Sequence, residues 1–262
     1  MNFQTAMETI GNTPLLAIPK LCQKAGATAQ VLVKLEKNNP YGSVKDRAGL
    51  YIIREMEQSG RLKPGGCIVE PTSGNTGVSL AAIGAACGYR VVLTMPDSMS
   101  RERQLLLKAL GAELVLTPGK EGMAGTISKA EELLKSIPGA ALAGQFTNPA
   151  NVKAHYETTG PELWKQTGGQ VDCFVAGVGS GGTISGTGRY LKQQNPEICV
   201  LAVEPEASPV LSGGKAGPHP LQGLGAGFIP EIMDVTILDE IVQVSGEQAK
   251  QAARGGQALS DV

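Results

Sequence analysis

The sequence predicts an α/β protein built on parallel sheets. Apolar runs rich in β-branched residues alternate along the chain with stretches of helical period, which is the pattern of repeated strand and helix units. Turn signals such as Pro64-Gly65-Gly66 and Pro138-Gly139 separate these units. A chain of 262 residues is long enough for one large domain or two small ones.

The hydrophobic period assigns each element in order. Predicted strands cover residues 30–36, 67–70, 90–95, 113–117, 172–176 and 198–203, followed by short ones at 235–238 and 241–244. Predicted helices cover residues 45–59, 75–87, 101–110, 122–136 and 183–194. Residues 208–230 show neither period, and an irregular passage of that length in a compact protein indicates a functional loop.

Composition and charge exclude several classes of function. Lys and Arg number 23 against 24 acids, without a basic run, so nucleic acid is not expected as a partner. Residues 1–8 lack a basic segment followed by an apolar core, and no apolar run approaches the roughly 18 residues that cross a bilayer. We therefore expect a cytoplasmic protein without a membrane partner.

Cysteines and histidines argue against metal chemistry. The five cysteines are widely spaced and odd in number, which indicates free thiols in a reducing compartment. His155 and His219 are too few and too isolated to indicate a zinc site or a histidine-dependent triad. We expect no metal.

Lys45 lies in segment 42–47 (GSVKDR), which reads as the first turn of a helix. The positive end of the helix dipole disfavours an ammonium there by a few tenths to about 1 kcal/mol. This lowers the lysine pKa toward the neutral amine, which can attack a carbonyl or take a proton. Asp46 offsets part of the effect, and a solvated surface lysine is the alternative interpretation of this segment alone.

Segment 71–77 (PTSGNTG) follows a predicted buried strand and opens a helix. Open parallel sheets bind ligands at that edge. The hydroxyls and amide of the segment, with the N–H groups of a helix start, suit a carboxylate. Helix capping is the alternative, but capping needs only one such residue.

Segment 177–183 (GVGSGGT) follows another predicted strand, and bare backbone amides at a helix start hold phosphate well. The run also satisfies G-x-G-x-x-G, and Glu204 ends the next strand 22 residues after Gly182, so a dinucleotide-dependent dehydrogenase is the competing interpretation. A dehydrogenase leaves Lys45 and segment 71–77 without a role. One phosphate site, one reactive lysine and one carboxylate site favour pyridoxal 5′-phosphate.

Further motifs follow one another along nearly the whole chain. They are residues 10–15 (IGNTPL), 42–47, 70–77 (EPTSGNTG), 95–97 (MPD), 158–162 (TTGPE), the glycine loop 177–183 and residues 222–227 (QGLGAG). Together they resemble the cysteine synthase (O-acetylserine sulfhydrylase) family, within fold type II of the pyridoxal-phosphate enzymes.

The resemblance implies two open-sheet α/β domains of the tryptophan synthase β-like kind. A large cofactor-binding domain would comprise residues 1–38 and 144–262, and a small substrate-side domain would be the insertion 39–143. Family members continue into a serine that faces the pyridine nitrogen and then a further βα unit, whereas residues 254–262 read RGGQALSDV. We therefore expect the pyridine partner and the last βα unit to be missing.

The resemblance also implies the site residues. Lys45 would be the Schiff-base lysine and the acceptor of the substrate's α-proton, and Asn75 would bind the cofactor's 3′-oxygen. The cofactor phosphate would be held by Gly179, Ser180, Gly181, Gly182 and Thr183. The substrate would be bound by Thr72, Ser73, Gly74, Thr76, Gln145 in a strand-like segment 144–146, and Gly223.

The implied reaction replaces the acetoxy group of O-acetyl-L-serine by sulfide, through α-aminoacrylate, to give L-cysteine and acetate. A cystathionine β-synthase type of enzyme is one alternative. A truncated, non-catalytic form that binds the C-terminal tail of serine acetyltransferase is another. The resemblance further implies a homodimer.

Overall fold

The alternating strands and helices fold into parallel sheets, which confirms the predicted α/β class. The computed structural model describes residues 3–257; residues 258–262, part of the segment in which the pyridine partner is predicted to be missing, lie outside the described residues. The chain divides into two compact units. The first unit joins the residues up to Ile10 to Asn39–Asn151, and the second joins Gly11–Asn38 to the chain from Val152 onward.

The strands are β1 Leu15–Ala17, β2 Leu32–Lys34, β3 Cys67–Pro71, β4 Arg90–Pro96, β5 Glu113–Thr117, β6 Ala140–Leu142, β7 Cys173–Gly177, β8 Cys199–Pro205 and β9 Glu240–Val244. The helices are α1 Pro19–Lys24, α2 Lys45–Gln58, α3 Asn75–Ala86, α4 Arg101–Ala109, α5 Gly122–Ser136, α6 Ala150–Ala154, α7 Gly160–Gln166, α8 Gly182–Gln194 and α9 Gly246–Gln257. A π-helical turn, His155–Thr159, joins α6 to α7.

Two predicted strands are wrong. Residues 235–237 form a 3₁₀ turn because the Asp234 carboxylate accepts the Thr236 N–H and stabilises a turn there. Residues 144–146 form a turn after β6, in which Gly144 has a φ of 70° and its carbonyl accepts the Asn148 N–H at 2.7 Å. A left-handed backbone at Gly144 is incompatible with an extended strand.

The first unit has a four-stranded parallel sheet with helices on both faces. Alternate residues of β3 pack on opposite sides, because successive side chains of a strand point to opposite faces. Ile68 belongs to the core that contains Ile52 of α2 and Leu80 of α3, whereas Val69 packs with Ala130 of α5. Burial on both faces explains why β3 reads as a continuous apolar run.

The order of strands in this sheet is β5-β4-β3-β6. The chain extends from β3 through β4 to β5 on one side and then returns to place β6 on the other side of β3. The direction of winding therefore reverses between β3 and β6. In open parallel sheets, ligands bind in the crevice at the carboxyl ends of the strands on either side of such a switch point.

The second unit contains the parallel sheet β7-β8-β9 and the antiparallel pair β1-β2. Helix α8 follows β7 and covers the sheet, with Ile184 of the helix buried against Val200 and Ala202 of β8. The glycine loop joins β7 to α8, at the carboxyl edge of the sheet. Residues 206–234, which include the predicted irregular loop, form neither a helix nor a strand.

Candidate active site

Lys45 is the first residue of α2, as the sequence predicts. The backbone N–H of Lys45 donates to the Ser43 hydroxyl at 3.2 Å. Burial lowers the pKa of the Lys45 amine to about 8. The direction of this shift matches the prediction, and its cause is removal of the amine from water, which the sequence did not indicate.

Asp46, predicted to offset part of the strain on the lysine, forms hydrogen bonds with two other segments of the first unit. Its carboxylate accepts the Tyr41 N–H at 2.8 Å and the hydroxyl of Ser79, in α3, at 2.5 Å. Asp46 is fully buried. These bonds tie the first turn of α2 to α3 and so fix the helix start that carries Lys45.

Segment 71–77 leaves β3 and enters α3 through a glycine. The cap residue of α3 is Gly74, which has no side chain that could bond to the N–H groups of the first turn. The hydroxyl of Thr72 accepts the Gly74 N–H at 3.2 Å, before the helix begins. The alternative interpretation as a helix cap therefore does not account for these hydroxyls, and the helix start suits an anion. Asn75 is exposed at the first position of α3.

Gln145 lies across the switch point from this segment. The Thr76 hydroxyl donates to Gln145 Oε1 at 2.7 Å, and both residues are buried. Asn151 Nδ2 donates to the Gln145 carbonyl at 2.8 Å and holds the turn from within the same unit. The structure thus brings the segment after β3 and the turn after β6 into direct contact, with Thr72, Ser73, Gly74 and Thr76 on one side and Gln145 on the other.

Glu70, for which the sequence predicts no role, holds that turn in place. Its buried carboxylate accepts the N–H of Gly144 at 2.8 Å and that of Gln145 at 3.3 Å. Burial raises the pKa of Glu70 to about 7, although hydrogen bonds from Gly144 and Gln145 act to lower it. An acid within the apolar strand CIVE is a signal that could have identified this residue, because charged groups are rarely buried without a partner.

The glycine loop, in the second unit, is shaped by close backbone contacts. A β-carbon at Gly179 would lie 2.1 Å from the carbonyl oxygen of Gly223, so Gly223 lies directly against this loop. Gly181 caps α8 with a φ of 83°. Since no side chain caps the first turn of α8, the loop and helix start fit a phosphate, which is the anionic group of pyridoxal 5′-phosphate.

His155 is a second residue that the sequence did not point to. Its Nε2 lies 3.2 Å from the hydroxyl of Thr183, and its Nδ1 lies 2.9 Å from the hydroxyl of Thr159. The histidine is buried in the π-helical turn, a geometry that is frequent at functional sites. Its position next to Thr183 depends on tertiary packing, so no local spacing could have revealed it.

Glu204 is the acid on which the competing dehydrogenase interpretation depends. In the structure it anchors a loop. Its buried carboxylate accepts the N–H groups of Leu211 and Ser212, at 2.8 and 3.1 Å, and the Ser212 hydroxyl at 2.5 Å. These bonds anchor the start of the irregular loop. The fingerprint-like spacing of Glu204 therefore reflects loop anchoring.

Within the part of the chain that the structure describes, no three His, Cys, Asp or Glu side chains lie close enough together to hold a metal. Among residues 3–257, no helix is both long and apolar enough to cross a membrane.

The family described as "Pyridoxal-phosphate dependent enzyme" matches residues 6–255, and the chain belongs to that family. Its relatives include cysteine synthases: that of Staphylococcus aureus is 54% identical over 248 residues, which are 94% of this chain and 79% of that protein. The motif-based resemblance is thereby confirmed.

Solved structures show the same similarity. A cysteine synthase of Entamoeba histolytica superposes with a TM-score of 0.94 at 46% identity, covering 97% of this chain and 76% of that one. O-acetyl serine sulfhydrylase isoform 3 of the same organism gives a TM-score of 0.96 at 44% identity, covering 100% and 79%. The fold-type II architecture predicted from the motifs is therefore confirmed.

Proposed function

We propose that this chain is a cysteine synthase, which converts O-acetyl-L-serine and sulfide to L-cysteine and acetate. The observation that carries the proposal is the 54% identity to a cysteine synthase over 94% of the chain. The first unit supports it with a carboxylate site, formed by the start of α3 and the Thr76–Gln145 pair. The glycine loop supports the proposal because it leads into a helix whose first turn has no side-chain cap and therefore suits a phosphate.

Bound pyridoxal phosphate supplies an electron sink for the pair of electrons left at Cα when its proton departs. Lys45 would hold the cofactor until the substrate's amino group replaces it, and the lysine amine so released would take the α-proton, for which a pKa of about 8 is well suited at neutral pH. Acetate then leaves from Cβ, hydrosulfide adds there, and Lys45 returns the proton to Cα. The atoms balance without an oxidant or a reductant.

The other predicted site residues bind and orient the substrate and the cofactor. Gln145, Thr76 and the N–H groups of segment 72–76 hold the substrate carboxylate. Gly179 to Thr183 hold the phosphate, Asn75 binds the cofactor's 3′-oxygen, and Gly223 closes on the substrate amino group.

We further propose that the protein acts in the cytoplasm, as a homodimer, and that it accepts the C-terminal tail of serine acetyltransferase. The five cysteines, all free thiols, support the location. Similarity to cysteine synthases supports the other two statements.

The test divides the purified, pyridoxal-phosphate-loaded chain into two samples. One is reduced with borohydride to measure covalent attachment of the cofactor, and the other is left unreduced to measure cysteine formation. Wild type retains the cofactor on Lys45. Lys45→Ala retains none and loses activity by about 10³-fold or more, because its nucleophile and proton acceptor are gone. Lys63→Ala, which removes an exposed lysine of the same unit, serves as the control and behaves as wild type.

Attachment of the cofactor to Lys45→Ala would refute the assignment of the lysine. A wild-type enzyme that carries the cofactor but uses homocysteine in preference to sulfide would instead be of the cystathionine β-synthase type. Binding of the acetyltransferase tail without turnover would identify a non-catalytic partner protein.

A further inference from the structure

Glu70 lies between the segment after β3 and the turn after β6, which together form the proposed carboxylate site. It is the penultimate residue of β3, it is 1% exposed, and its carboxylate accepts the backbone N–H groups of Gly144 and Gln145. These two bonds hold the backbone of the turn that carries the Gln145 side chain.

The Thr76 hydroxyl sets the orientation of the Gln145 amide. It donates to Gln145 Oε1 at 2.7 Å. Oε1 is therefore the end of the amide that faces Thr76, and Nε2, which carries two hydrogens, is the group that can donate to a ligand. Rotation of the amide by 180° would break the bond to Thr76.

Residue 70 therefore has to be a carboxylate rather than an amide. An ionised carboxylate only accepts hydrogen bonds, so its two oxygens can satisfy the two backbone N–H donors directed at them, those of Gly144 and Gln145. A neutral amide of the same shape would offer its own NH₂ to those donors, and an unsatisfied buried donor is costly.

We propose that Glu70 is a positioning residue for substrate recognition: it orients Gln145 so that Nε2 donates to the α-carboxylate of the amino-acid substrate. The inference rests on the proposed function, because that function brings an amino acid to Gln145. Glu70 itself acts through Gln145 and does not contact the reacting atoms.

The test compares two ligands that differ only by a carboxylate, L-serine and ethanolamine, by calorimetry on the cofactor-loaded protein at pH 8. Glu70→Gln weakens L-serine binding by about tenfold, the usual worth of a hydrogen bond to a charged group, and changes ethanolamine binding by less than about twofold. The visible band of the cofactor stays unchanged. Glu113→Gln, an exposed acid of the same sheet, is the matched control and alters neither ligand.

A double-mutant cycle separates positioning from general stabilisation. In a Gln145→Ala background, Glu70→Gln changes the ratio of L-serine to ethanolamine affinity by less than about twofold, because the group through which Glu70 acts is gone. In the cofactor-free chain, the backbone amide protons of Gly144 and Gln145 move to smaller NMR chemical shifts in Glu70→Gln. Additive effects of the two substitutions, or unchanged L-serine binding in Glu70→Gln, would overturn the proposal.

If Glu70→Gln does not fold, Glu70→Asp enters the same cycle; it keeps the charge but is one methylene short, and it also lowers the L-serine to ethanolamine ratio. A ratio equal to that of wild type would overturn the proposal. Failure of the proposed function has a different signature, since wild type itself would then bind L-serine no better than ethanolamine.

Discussion

Lys45 and Glu70 show how burial moves two groups of opposite charge toward neutrality. Removal from water disfavours whichever form is charged, so it lowers the pKa of the amine to about 8 and raises that of the carboxyl to about 7. Both groups therefore titrate close to physiological pH. The lysine gains a reactive neutral form, and the acid remains an acceptor once the pH exceeds its pKa.

The raised pKa of Glu70 makes stability fall as the pH rises. The unfolded carboxyl titrates near 4.5 and the folded one near 7, so between these values the folded chain binds more protons. This group therefore stabilises the fold fully below pH 4.5 and loses that contribution, roughly 3 kcal/mol, as the pH passes 7. We expect urea unfolding to show that the stability of wild type minus that of Glu70→Gln is larger at pH 5 than at pH 8. Parallel pH profiles for the two proteins would contradict this.

The sequence predicts the location of Lys45 but not its environment. The first turn of α2 follows from the local period and turn residues, whereas burial of the amine depends on residues distant in the chain. Glu70 was missed for the same reason, because its donors at Gly144 and Gln145 lie 74 and 75 residues away. Local pattern identifies a residue type at a position, and the fold determines what surrounds it.

At the scale of elements, α3 and α8 begin in the same way. Each follows a parallel strand, and each is capped by a glycine, Gly74 or Gly181. The cap leaves the N–H groups of the first turn to a ligand in place of a side chain. The two predicted anion sites, one for carboxylate and one for phosphate, thus depend on the same feature, a helix start that is capped by a glycine.

Substitution of Gly179 tests how closely the glycine loop, the predicted phosphate site, is packed. In Gly179→Ala the added carbon would meet the Gly223 carbonyl oxygen at 2.1 Å, so the loop must shift. We expect a loss of about 2 kcal/mol in stability and at least about a tenfold loss of affinity for pyridoxal phosphate, measured by its visible absorption.

The control is Gly213→Ala, where the new carbon meets no atom within 4 Å but φ is +80°. That change costs about 1 kcal/mol of backbone strain and leaves cofactor affinity as in wild type. Equal cofactor affinities for the two variants would contradict the loop's tight fit.

Element prediction succeeded where the pattern was long. The helices α2, α3, α4, α5 and α8 begin and end within one or two residues of the predicted bounds. β1, β2 and β6 each have three residues. β2 lies within the predicted strand 30–36, whereas β1 and β6 were missed because so short a run holds little alternation. Segment 144–146 looked extended, yet the φ of Gly144 turns the chain there.

At the scale of the whole molecule, each unit is assembled from two separate stretches of chain. In the second unit, polar contacts join its early part to its late part: Lys34 Nζ lies 2.7 Å from Glu162 Oε2, and the Asn12 N–H donates to Glu162 Oε1 at 2.8 Å. The Lys34 and Glu162 side chains are only 10% and 12% exposed. A pair this buried matters chiefly because removing one partner leaves the other charge uncompensated.

Glu162→Gln should therefore weaken the attachment of residues 11–38 to the rest of the second unit. We expect a loss of about 3 kcal/mol in stability and faster amide hydrogen exchange in β1 and β2. Glu247→Gln, which breaks the exposed Lys250–Glu247 pair of the same unit, should cost less than about 1 kcal/mol. Unchanged exchange in β1 and β2 of Glu162→Gln would show that the pair does not hold the segment.

The fold class follows from the sequence, but the order of strands does not. Alternating strands and helices predict parallel sheets, and the motif resemblance adds the family. The reversal between β3 and β6 that brings Gln145 to Thr76 is set by packing among whole elements, which no window of local sequence contains.

The split second unit also imposes an order on synthesis. Lys34 leaves the ribosome 128 residues before Glu162, which at ~5–20 residues per second is a delay on the order of ten seconds. Throughout that interval the early strands β1 and β2 lack their later partners, while residues 39–151, nearly all of the first unit, emerge in one contiguous stretch. The nascent chain can thus complete the sheet around the proposed carboxylate site first, before Glu162 emerges to bond with Lys34 and Asn12 of the early segment.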